Sequence, residues 1–204
     1  MGRLLWYIRC MVPGFLLGVL LYLLLFLPRR TRVRARGLRS GGIREWGMLL
    51  FWAFIGGMSV IVLAPEPDWL LDWLEAIRAG RAREAFARFG LFAGDRMPLR
   101  YRVNLLPFSQ GDSVFNMIGN IVMFLPFGFF SALLWRGFTW KRALLLGLGI
   151  TVGVECWQIV AGRVFDVDDI LLNTLGVVCG YWLWRLLNAL APGASARFRV
   201  KPAS

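Results

Sequence analysis

Five long apolar stretches most constrain what this chain can fold into. They cover about residues 10–27, 46–63, 114–135, 143–160 and 170–190. A helix needs about 20 predominantly apolar residues to cross the hydrocarbon core of a bilayer, and 58% of the 204 residues are hydrophobic. The sequence therefore predicts an all-α polytopic membrane protein, with one membrane domain over residues 1–204 and five transmembrane helices.

Basic residues predict how these helices are oriented. The formal net charge is +12, from 24 Lys and Arg against 12 Asp and Glu. In a soluble protein this surplus would suggest nucleic acid. Here the basic residues flank apolar runs, which favours membrane lipids with anionic headgroups and no nucleic acid. Because positive loops are usually cytoplasmic, residues 29–44, 136–142 and the tail are predicted inside, with the N-terminus outside and the C-terminus cytoplasmic.

Two segments lie outside the predicted spans. Residues 64–113 form an extracytoplasmic insert in which acidic and basic residues balance. Apolar residues recur at helical spacing over 68–79 and predict an amphipathic helix, either on the bilayer surface or packed on the bundle. Residues 191–204 carry three basic side chains and predict a flexible tail.

The composition argues against metal and cofactor chemistry. The chain contains no histidine, which removes the commonest general base and the commonest zinc ligand. Its cysteines, Cys10, Cys156 and Cys179, form no CxxC motif. The acidic residues match no known calcium-loop spacing. We therefore expect no metal site and no cofactor.

Polar side chains occupy the outer ends of the last three predicted spans. Each span carries two of them, spaced three or four residues apart, so each pair shares one helix face. The predicted topology brings all three pairs to a similar depth. Polar and ionisable groups inside spans usually face the bundle interior and indicate functional sites. The pairs are Asn116 with Asn120, Glu155 with Gln158, and Asp169 with Asn173.

The loop between the last two spans adds further charge. Arg163 is one cation among four carboxylates, and that negative surplus requires a proton, a cation or a cationic ligand group. The alternative is a structural role, in which interhelical hydrogen bonds contribute about 0.6 kcal/mol each and Glu155 pairs with Arg163 or is protonated. The four carboxylates are Glu155, Asp166, Asp168 and Asp169. The residues predicted to bind the ligand are Asn116, Asn120, Glu155, Gln158, Arg163, Asp166, Asp169 and Asn173.

Several motifs follow one another over residues 104–180. They are N-L-L-P-F at 104–108, N-x-x-x-N-x-x-x-F-x-P-x-G at 116–128, E-x-x-Q at 155–158, and R-x-x-D-x-x-D-x-x-x-N at 163–173, followed by Gly176 and Gly180. This combination resembles the VanZ-like family, named after the teicoplanin-resistance protein. The resemblance implies a small multi-pass protein of the bacterial cytoplasmic membrane and, for some members, antibiotic resistance through lowered glycopeptide susceptibility.

Three functions are compatible with these residues. The preferred hypothesis is a cell-envelope protein that binds an outer-leaflet amphiphile, either a lipid-linked cell-wall precursor or a lipoglycopeptide. The second is an intramembrane enzyme with Glu155 or Asp169 as general base and Arg163 holding a phosphate, although no Ser or Cys has an adjacent base. The third is a lipid transporter. The lack of an internal repeat argues against transport by a single chain, but a homo-oligomer could still act as a transporter. The sequence assigns no catalytic residue.

Overall fold

The computed structural model describes residues 3–63, 69–81, 83, 103–108, 113–161 and 163–202. Its elements are α1 (Arg3–Ala35), β1 (Leu38–Arg39), α2 (Gly42–Leu63), α3 (Trp69–Arg78), β2 (Val103–Asn104), α4 (Val114–Leu134), α5 (Trp140–Val160), β3 (Phe165–Asp166), α6 (Val167–Leu190), α7 (Pro192–Arg197) and β4 (Lys201–Pro202). Within these ranges, α1, α2, α4, α5 and α6 are long and apolar enough to cross a membrane. The all-α fold with five spanning helices is thereby confirmed, and the orientation of the termini stays a prediction.

Helix α1 is much longer than the apolar run that predicts it. It ends at Ala35 rather than near residue 27, so it includes the first arginines of the basic segment. Arginine is a good helix former, and Arg29 forms an ion pair with Glu45 near the start of α2. The charge pattern marks where the apolar run ends, whereas the backbone continues as helix beyond it.

Helices α1 and α2 pack tightly against each other through glycine. A Cβ atom placed on Gly14 would lie 2.3 Å from the carbonyl oxygen of Gly56, and one on Gly18 would lie 2.2 Å from that of Trp52. Nearer the basic end, Tyr22 packs in one buried cluster with Met48 and residues of α4. Small residues let neighbouring backbones approach closely in membrane bundles, so these glycines set the distance between the two helices.

Helices α4 and α6 form the other close pair. Cβ atoms placed on Gly176 and Gly180 would lie 2.3 Å and 1.9 Å from the carbonyl oxygens of Ile121 and Leu125, respectively. The contact moves from Ile121 to Leu125 on α4 as it moves from Gly176 to Gly180 on α6. The two helices therefore run parallel. Helix α5 runs antiparallel to α6, because Gly147 and Thr151 contact Thr174 whereas the later Glu155 contacts the earlier Asp166. The end of α5 therefore lies beside the starts of α4 and α6.

Two short strand pairs close the two ends of the bundle. At one end β2 pairs with β3 in parallel, with Asn104 opposite Asp166. At the other end β1 pairs antiparallel with β4, and Arg136 donates to the carbonyl oxygen of Val200. The three basic segments therefore meet at one end of the bundle. The tail contains α7 and β4, and its predicted flexibility stays a prediction.

Helix α3 lies within the insert, and its bounds agree closely with the predicted range 68–79. It contacts α1, as expected if it packs on the bundle. Most of the remaining insert lies outside the described residues, so the extracytoplasmic location of 64–113 stays a prediction.

Candidate functional site

Glu155 is the most deeply buried carboxylate at the end of the bundle where α4 and α6 begin. Its side chain, near the end of α5, is 1% exposed. Oε2 accepts a hydrogen bond from the backbone N–H of Asp166 at 2.9 Å. Oε1 is also buried and has no hydrogen-bond partner among the described residues. A buried acceptor without a donor costs about 1–3 kcal/mol, and more if it is charged, so this position favours a further hydrogen-bond donor.

Asp166 fastens the connection between α5 and α6. It caps α6, because its Oδ1 accepts from the backbone N–H of Asp168 at 3.0 Å. The amide Nδ2 of Asn104 donates to both carboxylate oxygens of Asp166, at 3.2 and 3.3 Å. These contacts reinforce the pairing of β2 with β3. Asp166 therefore has a structural role at this site, in addition to the ligand contact predicted for it.

Asp168 anchors the segment that follows β2. The side chain is 2% exposed, and both of its oxygens accept from the backbone N–H of Phe108 at 2.9 Å. Phe108 has a φ of 56°, a left-handed conformation that is uncommon for bulky residues. Asp168 is one of the four carboxylates counted from the sequence, but it is not among the predicted ligand-binding residues. The N-L-L-P-F motif is the sequence signal that points to this anchored segment.

Asn120 and Asp169 join α4 to α6. The Nδ2 of Asn120 donates to Oδ1 of Asp169. This direct contact agrees with the prediction that the polar residues of the two helices lie at a similar depth. Asn173 lies one turn further along α6, where its side chain is 4% exposed. Its Oδ1 is buried and, among the described residues, has no donor. Asn173 thus resembles Glu155 in presenting a buried acceptor that the described chain leaves unsatisfied.

A pair of threonines lies next to Asn173 in the interface between α5 and α6. The hydroxyls of Thr151 and Thr174 are 3.3 Å apart, and both side chains are buried. Thr151 also donates to the carbonyl oxygen of Gly147. Small polar residues that hydrogen-bond across helices are common in membrane interfaces. Neither threonine was predicted from the sequence, because threonine is also found at helix contacts in membrane spans without any site nearby.

Gln158 and Arg163 contact the end of α2 instead of the carboxylates. Nε2 of Gln158 and Nη1 of Arg163 donate to the carbonyl oxygen of Val62, at 3.1 and 3.3 Å. Nε1 of Trp157 donates to that of Leu63 at 2.7 Å. The last four carbonyls of a helix lack partners within the helix, and these three side chains satisfy two of them. In the described part of the chain, Arg163 forms no ion pair with Glu155.

Asn116 differs from the other predicted site residues because its side chain is exposed. It lies in the first turn of α4, where its backbone N–H donates to the hydroxyl of the capping residue Ser113. The structure therefore gathers Asn120, Glu155, Asp169 and Asn173, with the loop carboxylates, around the α4–α5–α6 junction. Asn116 lies at the surface of α4, one turn before Asn120.

The charge surplus of this junction is accommodated mainly by neutral donors. Backbone and amide N–H groups bind Asp166, Asp168 and Asp169, as described above. No group of three or more His, Cys, Asp or Glu side chains is arranged to hold a metal ion within the described ranges. What the arrangement offers to a ligand is therefore hydrogen-bond acceptance, chiefly through Oε1 of Glu155 and Oδ1 of Asn173.

Comparisons with known proteins identify the family to which this chain belongs. The model of the VanZ/LLP1 family matches residues 80–188, more than half of the chain. The chain belongs to the VanZ/LLP1 family. It is 32% identical to Protein VanZ of Enterococcus faecium over 88 aligned residues. These residues make up 42% of this chain and 54% of that protein. The chain thus spans about half the length of this curated relative. No solved structure matches the chain.

The VanZ/LLP1 match covers α4, α5, α6 and the candidate site together. The five spanning helices and the family membership make this a multi-pass membrane protein.

Proposed function

We propose that this VanZ/LLP1 protein binds an amphiphile of the outer leaflet at the junction of α4, α5 and α6, in the bacterial cytoplasmic membrane. The observation that carries the proposal is the pair of buried acceptors, Oε1 of Glu155 and Oδ1 of Asn173, which lack donors among the described residues. A ligand that donates an amine, amide or hydroxyl hydrogen would satisfy both. Lipid-linked cell-wall precursors and lipoglycopeptides carry such groups on an apolar tail.

An exposed apolar surface beside the polar junction supports an amphiphilic ligand. The segment 103–108 is fastened to the junction by Asp166 and Asp168, yet Leu105, Leu106 and Phe108 are 66%, 70% and 60% exposed. A polar interior next to an apolar exterior suits a molecule with a polar head and an apolar tail. Both acceptors are buried in this structure, so a ligand reaches them only when the residues around them move.

Glu155→Gln is the sharpest test of this proposal. The carbonyl oxygen of a glutamine keeps the hydrogen bond from Asp166, and the amide NH₂ then replaces the unsatisfied Oε1. The variant keeps the fold but presents a donor where the ligand also presents a donor. Cys156→Ala, a change at the exposed neighbouring position, is the matched control. Affinity is measured in nanodiscs for teicoplanin and for a polyprenyl-diphosphate-linked cell-wall precursor.

We expect wild type and Cys156→Ala to bind one of these probes, and Glu155→Gln to bind it at least tenfold more weakly. A tenfold change corresponds to about 1.4 kcal/mol, comparable to one lost hydrogen bond in a buried site. Thermal midpoints of the three proteins should agree. Equal affinity of Glu155→Gln and wild type, or no binding of either probe by wild type, would overturn the proposal.

The same buried carboxylate favours one alternative, an enzyme in which Glu155 removes a proton from a lipid-linked substrate. The binding experiment also distinguishes this function. Mass spectrometry of the recovered precursor would show a changed mass if the protein is an enzyme, and an unchanged mass if it only binds. In cells, the binding function predicts that expression lowers teicoplanin susceptibility in wild type and not in Glu155→Gln.

A further inference from the structure

A cavity of about 500 Å³ lies between α1 and α2, at the opposite end of the bundle from the candidate site. Phe51, Trp52 and Ile55 form part of its apolar lining, and Arg29 and Arg32 also line it. Leu25 and Trp135 also line the cavity and are 44% and 42% exposed. The cavity therefore borders the surface of the bundle that faces lipid.

Arg29 has hydrogen-bonding capacity that its protein partners do not fill. Its Nη2 binds Oε2 of Glu45, and the same oxygen accepts the phenol O–H of Tyr22 at 2.7 Å. Its Nη1 is buried and has no hydrogen-bond partner among the described residues. A guanidinium group carries five N–H donors, so Arg29 is suited to bind a second anion alongside Glu45.

The charges around the cavity do not balance. Arg44 is 6% exposed and donates to the hydroxyl of Ser40, while its Nε lacks a partner in the described structure. At this end of the bundle, Glu45 is the only carboxylate side chain among the described residues, against Arg29, Arg32 and Arg44. Poorly compensated buried charge is costly, and an anion bound by guanidinium groups would offset that cost.

We propose that this cavity is a specific site for an anionic glycerophospholipid of the leaflet at this end, which the charge pattern predicts to be cytoplasmic. The phosphate binds Arg29 and Arg32, since arginine forms two parallel hydrogen bonds with phosphate oxygens. An acyl chain lies against Phe51, Trp52 and Ile55. The volume falls within the range of about 300–1,000 Å³ typical of ligand pockets. Anionic lipids are abundant in the cytoplasmic leaflet.

This occupant is preferred to a second copy of the chain or to free phosphate. The apolar part of the cavity would be left unfilled by phosphate alone, because phosphate has no apolar group to place there. A second copy would have to insert a carboxylate or its C-terminus beside Arg29 and Arg32. A phospholipid of the bilayer would reach the cavity past the exposed Leu25 and Trp135, and it combines both chemistries in one molecule.

Arg32→Gln tests the site with little risk to the fold, since Arg32 is exposed and lines the cavity. Arg34→Gln is the matched control, because Arg34 is exposed on the same helix and does not line the cavity. Arg29→Lys is a second variant that keeps a cation beside Glu45 and removes the guanidinium fork. The full chain is delipidated in detergent and titrated with phosphatidylglycerol, with phosphatidylcholine of the same acyl chains, or with inorganic phosphate. Bound lipid is counted by native mass spectrometry, and thermal midpoints are recorded without added lipid.

We expect one phosphatidylglycerol to bind per chain, with at least fivefold preference over phosphatidylcholine. Arg32→Gln and Arg29→Lys should weaken that binding about five- to tenfold at an unchanged thermal midpoint, and Arg34→Gln should leave it within twofold of wild type. Equal losses in Arg32→Gln and Arg34→Gln would show a diffuse basic surface and overturn the specific site. Equal binding of the two lipids, or full displacement of phosphatidylglycerol by millimolar phosphate, would likewise overturn it.

Discussion

The close packing of α4 on α6 makes Gly180→Ala the most informative single substitution for the fold. A Cβ atom at this position would lie 1.9 Å from the carbonyl oxygen of Leu125 and 2.9 Å from the backbone nitrogen of Phe129. Both neighbours are backbone atoms in the middle of a helix, so neither can rotate away as a flexible side chain would. The two helices must therefore separate.

The size of that separation sets the expected loss. Ordinary van der Waals contact begins at 3.4 Å, so the added methyl group is about 1.5 Å too close. A gap of about 0.5–1 Å already forfeits a quarter to a half of the dispersion attraction of each atom pair along an interface. Overpacking of this kind typically costs about 1–3 kcal/mol, and contact with backbone places this case at the upper end, about 3 kcal/mol.

Gly149→Ala is the matched control for this substitution. Gly149 lies in α5, and a Cβ atom there would meet nothing within 4 Å. Alanine is favoured over glycine in a helix interior by about 1 kcal/mol, so the control should be neutral or slightly more stable. Unfolding in mixed micelles, followed by circular dichroism against the mole fraction of denaturing detergent, measures both variants. If Gly180→Ala unfolds at the same detergent fraction as Gly149→Ala, the close approach of α4 and α6 is wrong.

The remaining predictions concern the hydrogen bonds around the candidate site. A double-mutant cycle of Asn120→Ala and Asp169→Ala should give a coupling free energy of unfolding of about 0.6–1.7 kcal/mol, and additive effects would argue against a direct bond. Trp157→Phe should lower stability by about 1 kcal/mol, because it leaves an α2 carbonyl unpaired while preserving an aromatic ring, and an unchanged unfolding midpoint would contradict this. Asp168→Ala should release the segment that ends at Phe108, raising its amide exchange rate at least tenfold without a matching rise in α4, whereas uniform exchange would indicate global destabilisation.

The number and approximate position of the spanning helices follow from the sequence because bilayer thickness imposes a minimum apolar length. The length of α1 does not follow from the same rule. Its last turns are basic, and they stay helical because arginine has good helix propensity and Arg29 pairs with Glu45 of α2. Hydropathy reports which residues the lipid tolerates, whereas helix ends depend on local propensity and on partners from other helices.

The candidate site was predictable where it depends on topology. The antiparallel order of the spans brings Asn120 and Asp169 to the same level, and the structure joins them. The partners of Gln158 and Arg163 were not predictable, because a helix-terminal carbonyl such as that of Val62 has no signature in the sequence. From the sequence alone, the side chains of Gln158 and Arg163 could equally donate to carboxylates, and only the position of α2 decides between the two partners.

The distribution of satisfied and unsatisfied groups favours the proposed binding site over interhelical contacts that serve only stability. Most polar side chains at this junction hold loops or helix ends, and each bond of that kind contributes about 0.6 kcal/mol. Two buried acceptors without donors would each cost about 1–3 kcal/mol, which offsets several such bonds. A proton on Oε1 of Glu155 would convert that acceptor into a donor, and it would then need an acceptor of its own. Bound water could satisfy both, and the affinity of Glu155→Gln for the two probes distinguishes water from a ligand. An amphiphilic ligand accounts for the two acceptors and for the apolar surface together.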